Sequence, residues 1–327
     1  MQPMRTLARW AAALFGVIGI AAAAQGLPNK TLSLIVPYPA GGPSDYVARK
    51  IQPDAAARLG QTMIIENIGG ANGSIALSRM LNAPPDGSMM VLGTPMELVL
   101  APLAMSAVKF KSEDFRLVAQ LVTTNLVLLT RPTLGAKNVD ELVAMARKAT
   151  DKPMTYGSVG LGSAYHVAGE KFAQLTGTQF THVPYKGSAQ LITDLVGGQI
   201  DFAFIVLAGS VPAMIQDGKV KALGITAKTP HPLFKDLPPL AAMPALAPLE
   251  FDLWAGVQVP RNTPDDVVAR LNKAFYEALQ DPETRKAFEA TGNAVVSPRS
   301  PAELDTLYVA EVERYRALAK SINLQPQ

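Results

Sequence analysis

The chain has 327 residues, 48% of them apolar and 17% charged, which excludes a disordered segment and leaves room for about two α/β domains. Its 30 basic and 27 acidic residues give a net charge of +3, too sparse a balance for the concentrated basic face that grips nucleic acid. Cysteine is absent, so thiol nucleophiles, iron–sulfur clusters, zinc ribbons and disulfide scaffolds are excluded, and the chain suits an oxidising compartment.

Residues 1–24 read as a signal peptide. Arg5 and Arg9 form a positive start, Trp10 to Ile20 is a short apolar run, and Ala22-Ala23-Ala24 precede Gln25 as a small-residue cleavage site. No cysteine follows, which excludes a lipoprotein anchor. Cleavage near Ala24 removes two arginines and no acid, so the exported chain is closer to neutral. No other stretch has the length of a membrane helix, and the expectation is a soluble periplasmic protein.

Beyond the leader, short apolar runs alternate with helical patterns. Thr31–Val36 predicts a strand, Ser44–Leu59 a helix with Val47, Ile51, Ala55 and Leu59 on one stripe, Met63–Glu66 a strand, Ser74–Leu81 a helix and Met89–Gly93 a strand. That is a βαβαβ unit with parallel pairing. Two apolar runs, Leu117–Val122 and Leu126–Thr130, lead into a second series. It has a helix at Val139–Ala149, a strand at Met154–Tyr156 and a helix at Ser163–Thr176. A strand at His182–Pro184, a helix at Ala189–Val196 and strands at Ile200–Ile205 and Val220–Thr226 complete it. The proline-rich stretch Thr229–Pro248 predicts a surface-hugging connection. A strand at Phe251–Val259 and helices at Pro264–Leu279, Pro282–Ala290 and Pro301–Ala319 end the chain, with only Ala294–Ser297 as a further strand. These last helices lack a sheet of their own and must pack on the first unit. The chain therefore runs from domain one to domain two and back, crossing near Thr123–Leu126 and Leu249–Trp254. The expected division is residues 25–124 with 252–327 as domain one and 125–251 as domain two: an α/β, two-lobed clamp with two crossing connections, closing on a ligand in the cleft.

Two strand ends carry glycine-rich loops that open helices. The first is Pro37-Tyr38-Pro39-Ala40-Gly41-Gly42-Pro43-Ser44-Asp45 and the second Tyr156-Gly157-Ser158-Val159-Gly160-Leu161-Gly162-Ser163. Glycine admits close backbone approach, and unpaired amides at a helix start carry partial positive charge, so each loop suits a carboxylate or phosphate, or is simply a turn. Neither has the dinucleotide or Walker pattern, so nucleotide binding is poorly supported. Gly93-Thr94-Pro95-Met96-Glu97 is a weaker third strand end. Catalytic readings fare badly. Tyr156 replaces the first glycine of a nucleophile elbow around Ser158, and a histidine eight residues on, His166, breaks the triad order of a serine hydrolase. The three histidines, 166, 182 and 231, form no i,i+4 pair, and no metal or cofactor is expected. His166 stands one turn past Ser163, either toward the cleft or on the helix surface.

At these residues the sequence resembles the Bug family, the TctC-type solute receptors of tripartite tricarboxylate transporters. The matching motifs are Ile35–Asp45, Glu66-Asn67 with Gly69–Gly73, Ala83–Gly87, Gly93-Thr94, Tyr156–Ser158, Gly162-Ser163 with His166, His182–Gly187, Gly198–Asp201 and Pro264–Leu279 with Asp281-Pro282. Their order and spacing span essentially the whole mature chain. The resemblance implies a type II-like Venus-flytrap receptor that captures a small carboxylate and delivers it to membrane permease subunits. It implies a monomer, not an enzyme; a sensor-kinase input is the alternative role. By match, Tyr38, Ala40, Gly41, Gly42, Ser44 and Asp45 hold one ligand carboxylate, and Ser158, Ser163 and His166 contact it from the second lobe.

The chain departs from the family pattern where the other ligand end should lie. Pro95, Met96, Glu97 and Leu98 follow Thr94, and Ile205 and Val206 stand where many relatives carry Asp-Asn. Apolar residues at 205–206 disfavour a heavily hydrated ligand such as citrate and favour an apolar or aromatic carboxylate of the benzoate or terephthalate kind. Tyr38, Tyr165 and Trp254 are expected near the cleft, where flat faces can sandwich a ring. Glu97 either repels a second ligand carboxylate or faces water in the first turn of a helix.

Overall fold

The computed structural model describes residues 26–326; the signal peptide expected at residues 1–24 lies outside them. In chain order the first elements are β1 (Leu32–Val36), α1 (Pro43–Leu59), β2 (Met63–Asn67), α2 (Ser74–Leu81) and β3 (Met89–Gly93). A π-helical turn, Met96–Leu100, runs into α3 (Ala101–Ala104), and β4 (Phe115–Thr130) follows. Next come α4 (Val139–Lys148), β5 (Met154–Ser158), α5 (Ala164–Thr176), β6 (Phe180–Pro184), α6 (Ser188–Val196), β7 (Phe202–Val206), α7 (Val211–Gln216) and β8 (Lys221–Ile225). The chain ends with β9 (Asp252–Pro260), α8 (Asp265–Leu279), α9 (Pro282–Ala290), β10 (Ala294–Val295) and α10 (Pro301–Ser321).

Local chemistry sets these bounds. Pro43 opens α1, where its missing N–H costs nothing, and Gly60 ends it at φ 66°, a left-handed cap that a Cβ would strain. Ser300 and Glu303 cap α10 reciprocally. Every residue of β1 and β7 is buried, as in strands covered by helices on both faces.

The sheet runs β2-β1-β3-β9-β4-β7-β5-β6, with β8 and β10 also pairing β4. β4 belongs to both halves. Its residues Phe115–Asn125 pair antiparallel with β9, and Leu126–Thr130 pair with β7 on one side and Val127–Thr130 with β8 on the other. The first half thus holds β1, β2, β3 and β9, and the second β5, β6, β7 and β8, giving a two-lobed α/β fold. As their lack of a sheet requires, α8 and α10 pack on β4, and α8 also packs on α1.

The two apolar runs expected as separate strands form one strand of 16 residues. Thr123, Thr124 and Asn125 interrupt the apolar pattern without a glycine or proline, so the chain continues extended while its partners change. Pro264 caps α8 from outside, at ψ 144°, rather than opening it. The π turn, α3 and α7 have patterns too short to be read from periodicity.

Candidate functional site

A cavity of about 610 Å³, counting space open to solvent, lies between the lobes. The first lobe contributes Tyr38, Gly42 and Ser44 from the loop after β1, and Thr94 and Met96 from the end of β3. The second contributes Val159, Tyr165, Ser188 and Val206. Val122, Thr124, Trp254 and Asn293 form the floor, where the chain passes between lobes. Trp254 turns its indole N–H away, donating to Glu311 at 2.9 Å, and offers the cavity its ring.

Two helix starts meet at one end of this space. Gly42 caps α1 and Gly187 caps α6, each with extended backbone and without a side-chain cap bond. A Cβ built on Gly42 would stand 3.2 Å from the Ser188 hydroxyl, so the two starts nearly touch. The first amides of a helix have no intrahelical acceptor and carry the positive end of its dipole. Among the described lining residues there is no Lys, Arg or His. Negative charge here is therefore met by amides and by the Ser44 and Ser188 hydroxyls, an arrangement that suits a carboxylate.

Asp45 shapes the loop from behind. Its carboxylate accepts bonds from the Gly41 amide, the Arg49 Nε and the Asn67 Nδ2, each at 2.9 Å. Burial pushes its carboxyl up, but these bonds from Arg49, Gly41 and Asn67 outweigh it and hold the group below the usual carboxylate range. Gly41, at φ 86°, lets the chain turn into this clamp.

Glu97 is fully buried in the π turn behind the cavity wall. Its carboxylate accepts from the Tyr38 hydroxyl at 2.9 Å, the Thr94 hydroxyl at 2.7 Å and the Thr94 amide. Space for it exists because residue 73 is a glycine at φ 82°, whose Cβ would stand 2.9 Å from that of Glu97. Burial pushes the Glu97 carboxyl up to about 7, although its bonds to Thr94 and Tyr38 pull it down. The Tyr38 phenol is raised well above its usual value by burial and by Glu97.

The second glycine loop is organised around itself. The Ser158 hydroxyl lies 2.6 Å from the His182 Nε2, donates to the Gly160 carbonyl at 3.1 Å and accepts from the Gly160 amide at 3.0 Å. Ser163 caps α5, accepting from the His166 amide and donating to the Gly160 carbonyl at 2.8 Å. The His166 Nδ1 accepts from the Gly162 amide, and its ring lies 4.5 Å from that of His182. Burial lowers His166; burial and the neighbouring His166 push His182 down to about 4, so both rings are neutral near pH 7. Ser158 and His182 are within hydrogen-bond reach, yet the serine is wholly buried and the described bonds give His182 no carboxylate to orient it. That is not a nucleophile with its base. The two histidines and Glu170 face a separate crevice under Ile322–Gln325, and among the described residues no three such groups are placed to hold a metal.

Of the residues picked out in the sequence, Tyr38, Gly42, Ser44, Thr94, Met96, Tyr165, Val206 and Trp254 line the cavity. Ala40 and Gly41 are exposed on the loop beside it. Asp45, Glu97, Ser158, Ser163, His166 and Ile205 are buried behind the walls, positioning the loops rather than facing the space. Glu97 does not face water, because the turn that carries it is buried along its whole length. Ser188, Thr124 and Asn293 escaped sequence reading. Ser188 had a signal, the Lys186-Gly187-Ser188 step from strand to helix, which repeats the glycine-before-helix pattern of the first loop.

A two-lobed sheet fold with an anion-ready cleft defines a solute-binding protein of the periplasmic type. The family described as tripartite tricarboxylate transporter family receptor, TctC, matches residues 47–324, and the chain belongs to that family of solute receptors, which is not an enzyme class. A relative from Agrobacterium vitis, the UPF0065 protein in the TAR-I ttuE-ttuC' intergenic region, is 32% identical over 306 residues, 93% of this chain and 87% of that one. The structure of MatC (Rpa3494) from Rhodopseudomonas palustris with bound malate superposes with TM-score 0.83 at 29% identity, covering 89% of this chain and 99% of the other. R. palustris Rpa4515 with adipate gives TM-score 0.85 at 28% identity, covering 92% and 99%.

Proposed function

We propose that this receptor works in the periplasm, after loss of its leader, and binds a small carboxylate with an apolar, flat body in the cleft. It then hands the ligand to the membrane subunits of a tripartite transporter. The observation that carries the reading is the meeting of the α1 and α6 starts at one end of a cavity whose walls include Met96, Val122, Val159, Tyr165, Val206 and Trp254. The amides suit one carboxylate, and the aromatic and aliphatic walls suit a ring better than the hydroxyl and extra carboxylates of citrate, which would lose their water without gaining partners. The malate and adipate held by the two R. palustris proteins support a carboxylate ligand. In this reading residues 25–124 with 252–327 and residues 125–251 are the two domains. They close as a monomer about β4 and the start of β9, with no cofactor or metal.

Titration calorimetry with malate, adipate, benzoate, terephthalate and citrate tests it. An aromatic acid should bind at least tenfold tighter than citrate. Citrate binding tenfold tighter than both aromatic acids would overturn the apolar-body assignment, and no binding by any of the five would overturn the carboxylate receptor.

A further inference from the structure

The wall formed by Tyr38 and Thr94 has a defined hydrogen-bond polarity. A hydroxyl carries one hydrogen. Thr94 gives its hydrogen to Glu97 at 2.7 Å and already accepts from the Met96 amide at 3.2 Å. Tyr38 gives its hydrogen to Glu97 at 2.9 Å; its other neighbour, the Asn72 Oδ1 at 3.3 Å, is also an acceptor. Asn72 is fixed in that orientation, since its Nδ2 is committed to the Met96 carbonyl at 3.4 Å. Both hydroxyls belong to residues that line the cavity and give their hydrogen to one buried carboxylate, so what they have left to offer a ligand is lone pairs.

We propose that Glu97 is a positioning residue that makes this wall accept hydrogen bonds, so that the receptor selects carboxylates whose far end carries an N–H or O–H donor and rejects those with a second carboxylate there. The inference rests on the carboxylate-receptor reading above and names the ligand class within it. A second carboxylate would meet lone pairs and, one bond behind them, a buried negative charge, with no cation in the lining to offset either. An amine or hydroxyl placed there donates to Tyr38 or Thr94 and completes the network.

The polarity reverses when Glu97 takes up a proton. The carboxylic acid then donates to one hydroxyl and frees that hydroxyl's hydrogen for the ligand. Glu97 is raised to about 7 by burial, which places this reversal near neutral pH. The ionisable groups around it are Tyr38 from the loop after β1, Tyr165 from α5 acting through Tyr38, and Tyr308 from α10. All three phenols are raised by burial and stay neutral through that range, so Glu97 is the group that titrates.

Two matched pairs test the proposal: 4-aminobenzoate against terephthalate, and 6-aminohexanoate against adipate. All four are titrated calorimetrically into the wild-type chain and Glu97→Gln at pH 8 and pH 5.5. In whichever pair binds, the donor-bearing member should be at least tenfold tighter at pH 8 in the wild type. The preference should shrink at least threefold at pH 5.5. In Glu97→Gln, whose amide can donate to one hydroxyl at any pH, it should be reduced and independent of pH. Tyr38→Phe, which removes one acceptor and leaves Glu97, should also reduce the preference, and it serves if Glu97→Gln melts below the assay temperature. A dicarboxylate as tight as its amino partner at pH 8, or a preference untouched by pH and by both variants, would overturn the proposal while leaving the receptor reading intact. No binding by either pair or by malate would overturn both.

Discussion

A carboxyl buried without a cation destabilises the fold whenever it is ionised, and Glu97 is placed so that this can be measured. Its folded-state value is raised to about 7 by burial, against its ordinary value of 4.5 in the unfolded chain. Between those values the folded chain binds the extra proton, so stability is highest at the acid end of the window and falls as pH rises through it. At about 1.4 kcal/mol per pH unit the loss is roughly 3 kcal/mol. Glu97→Gln should lack this decline, since its side chain does not titrate. Urea unfolding of the ligand-free protein at pH 5 and pH 7.5 reads the difference; equal pH slopes for the two proteins would contradict it. Asp45 has the opposite sign, because its bonds to Arg49, Gly41 and Asn67 hold it low and its contribution is lost only as pH falls below the carboxylate range. Neither sign was legible in the sequence. Only the three-dimensional course of the π turn and of Gly73 decides that Glu97 is enclosed, and only the folded positions of Gly41, Arg49 and Asn67 decide that Asp45 is clamped.

At the level of elements, the helix start after the first glycine loop was legible because it follows a fully buried strand, and the start of α6 was not, because the strand before it is half exposed. The first loop was recognisable because Gly41, Gly42 and Pro43 sit between an apolar strand and a long amphipathic helix. The second lobe's counterpart was sought at Ser158–Ser163, whose glycines in fact serve a tight internal turn: Gly160 and Gly162 have φ 121° and 72°. The start of α6 meets α1 instead, and β6 before it is half exposed, so its apolar signal is weak. This gives a direct test of the paired helix starts. Gly42 has φ −84°, open to any residue, so Gly42→Val should fold with a melting temperature close to wild type. Its side chain would push against Ser188, at 3.2 Å from the would-be Cβ, and should weaken carboxylate binding at least tenfold, about 1.4 kcal/mol. Calorimetry showing unchanged affinity would remove α1 and α6 as partners in the site.

At the level of the whole molecule, what the chain order conveyed was the return to the first sheet. The C-terminal helices, with only one short strand among them, had to pack on the first unit: α8 and α10 lie on β4, and α8 and α9 on α1. What it could not convey was that a single strand, β4, carries the chain through both lobes, because Thr123–Asn125 look like a break in an apolar run. Beside the cleft the lobes approach closely at glycines. Residue 162 is a glycine whose Cβ would lie 2.3 Å from that of Ala104, and a Cβ on Gly187 would lie 3.2 Å from the Pro39 ring. In the proposed reading the ligand's anionic end is held by the main chain of both lobes at once. A crystal structure of the protein with 4-aminobenzoate tests it most directly. The carboxylate oxygens should lie within hydrogen-bond distance of first-turn amides or hydroxyls of both α1 and α6, with the ring against Tyr165 and Val206. A carboxylate bound by only one lobe, or seated in the crevice beside His166 and His182, would contradict it.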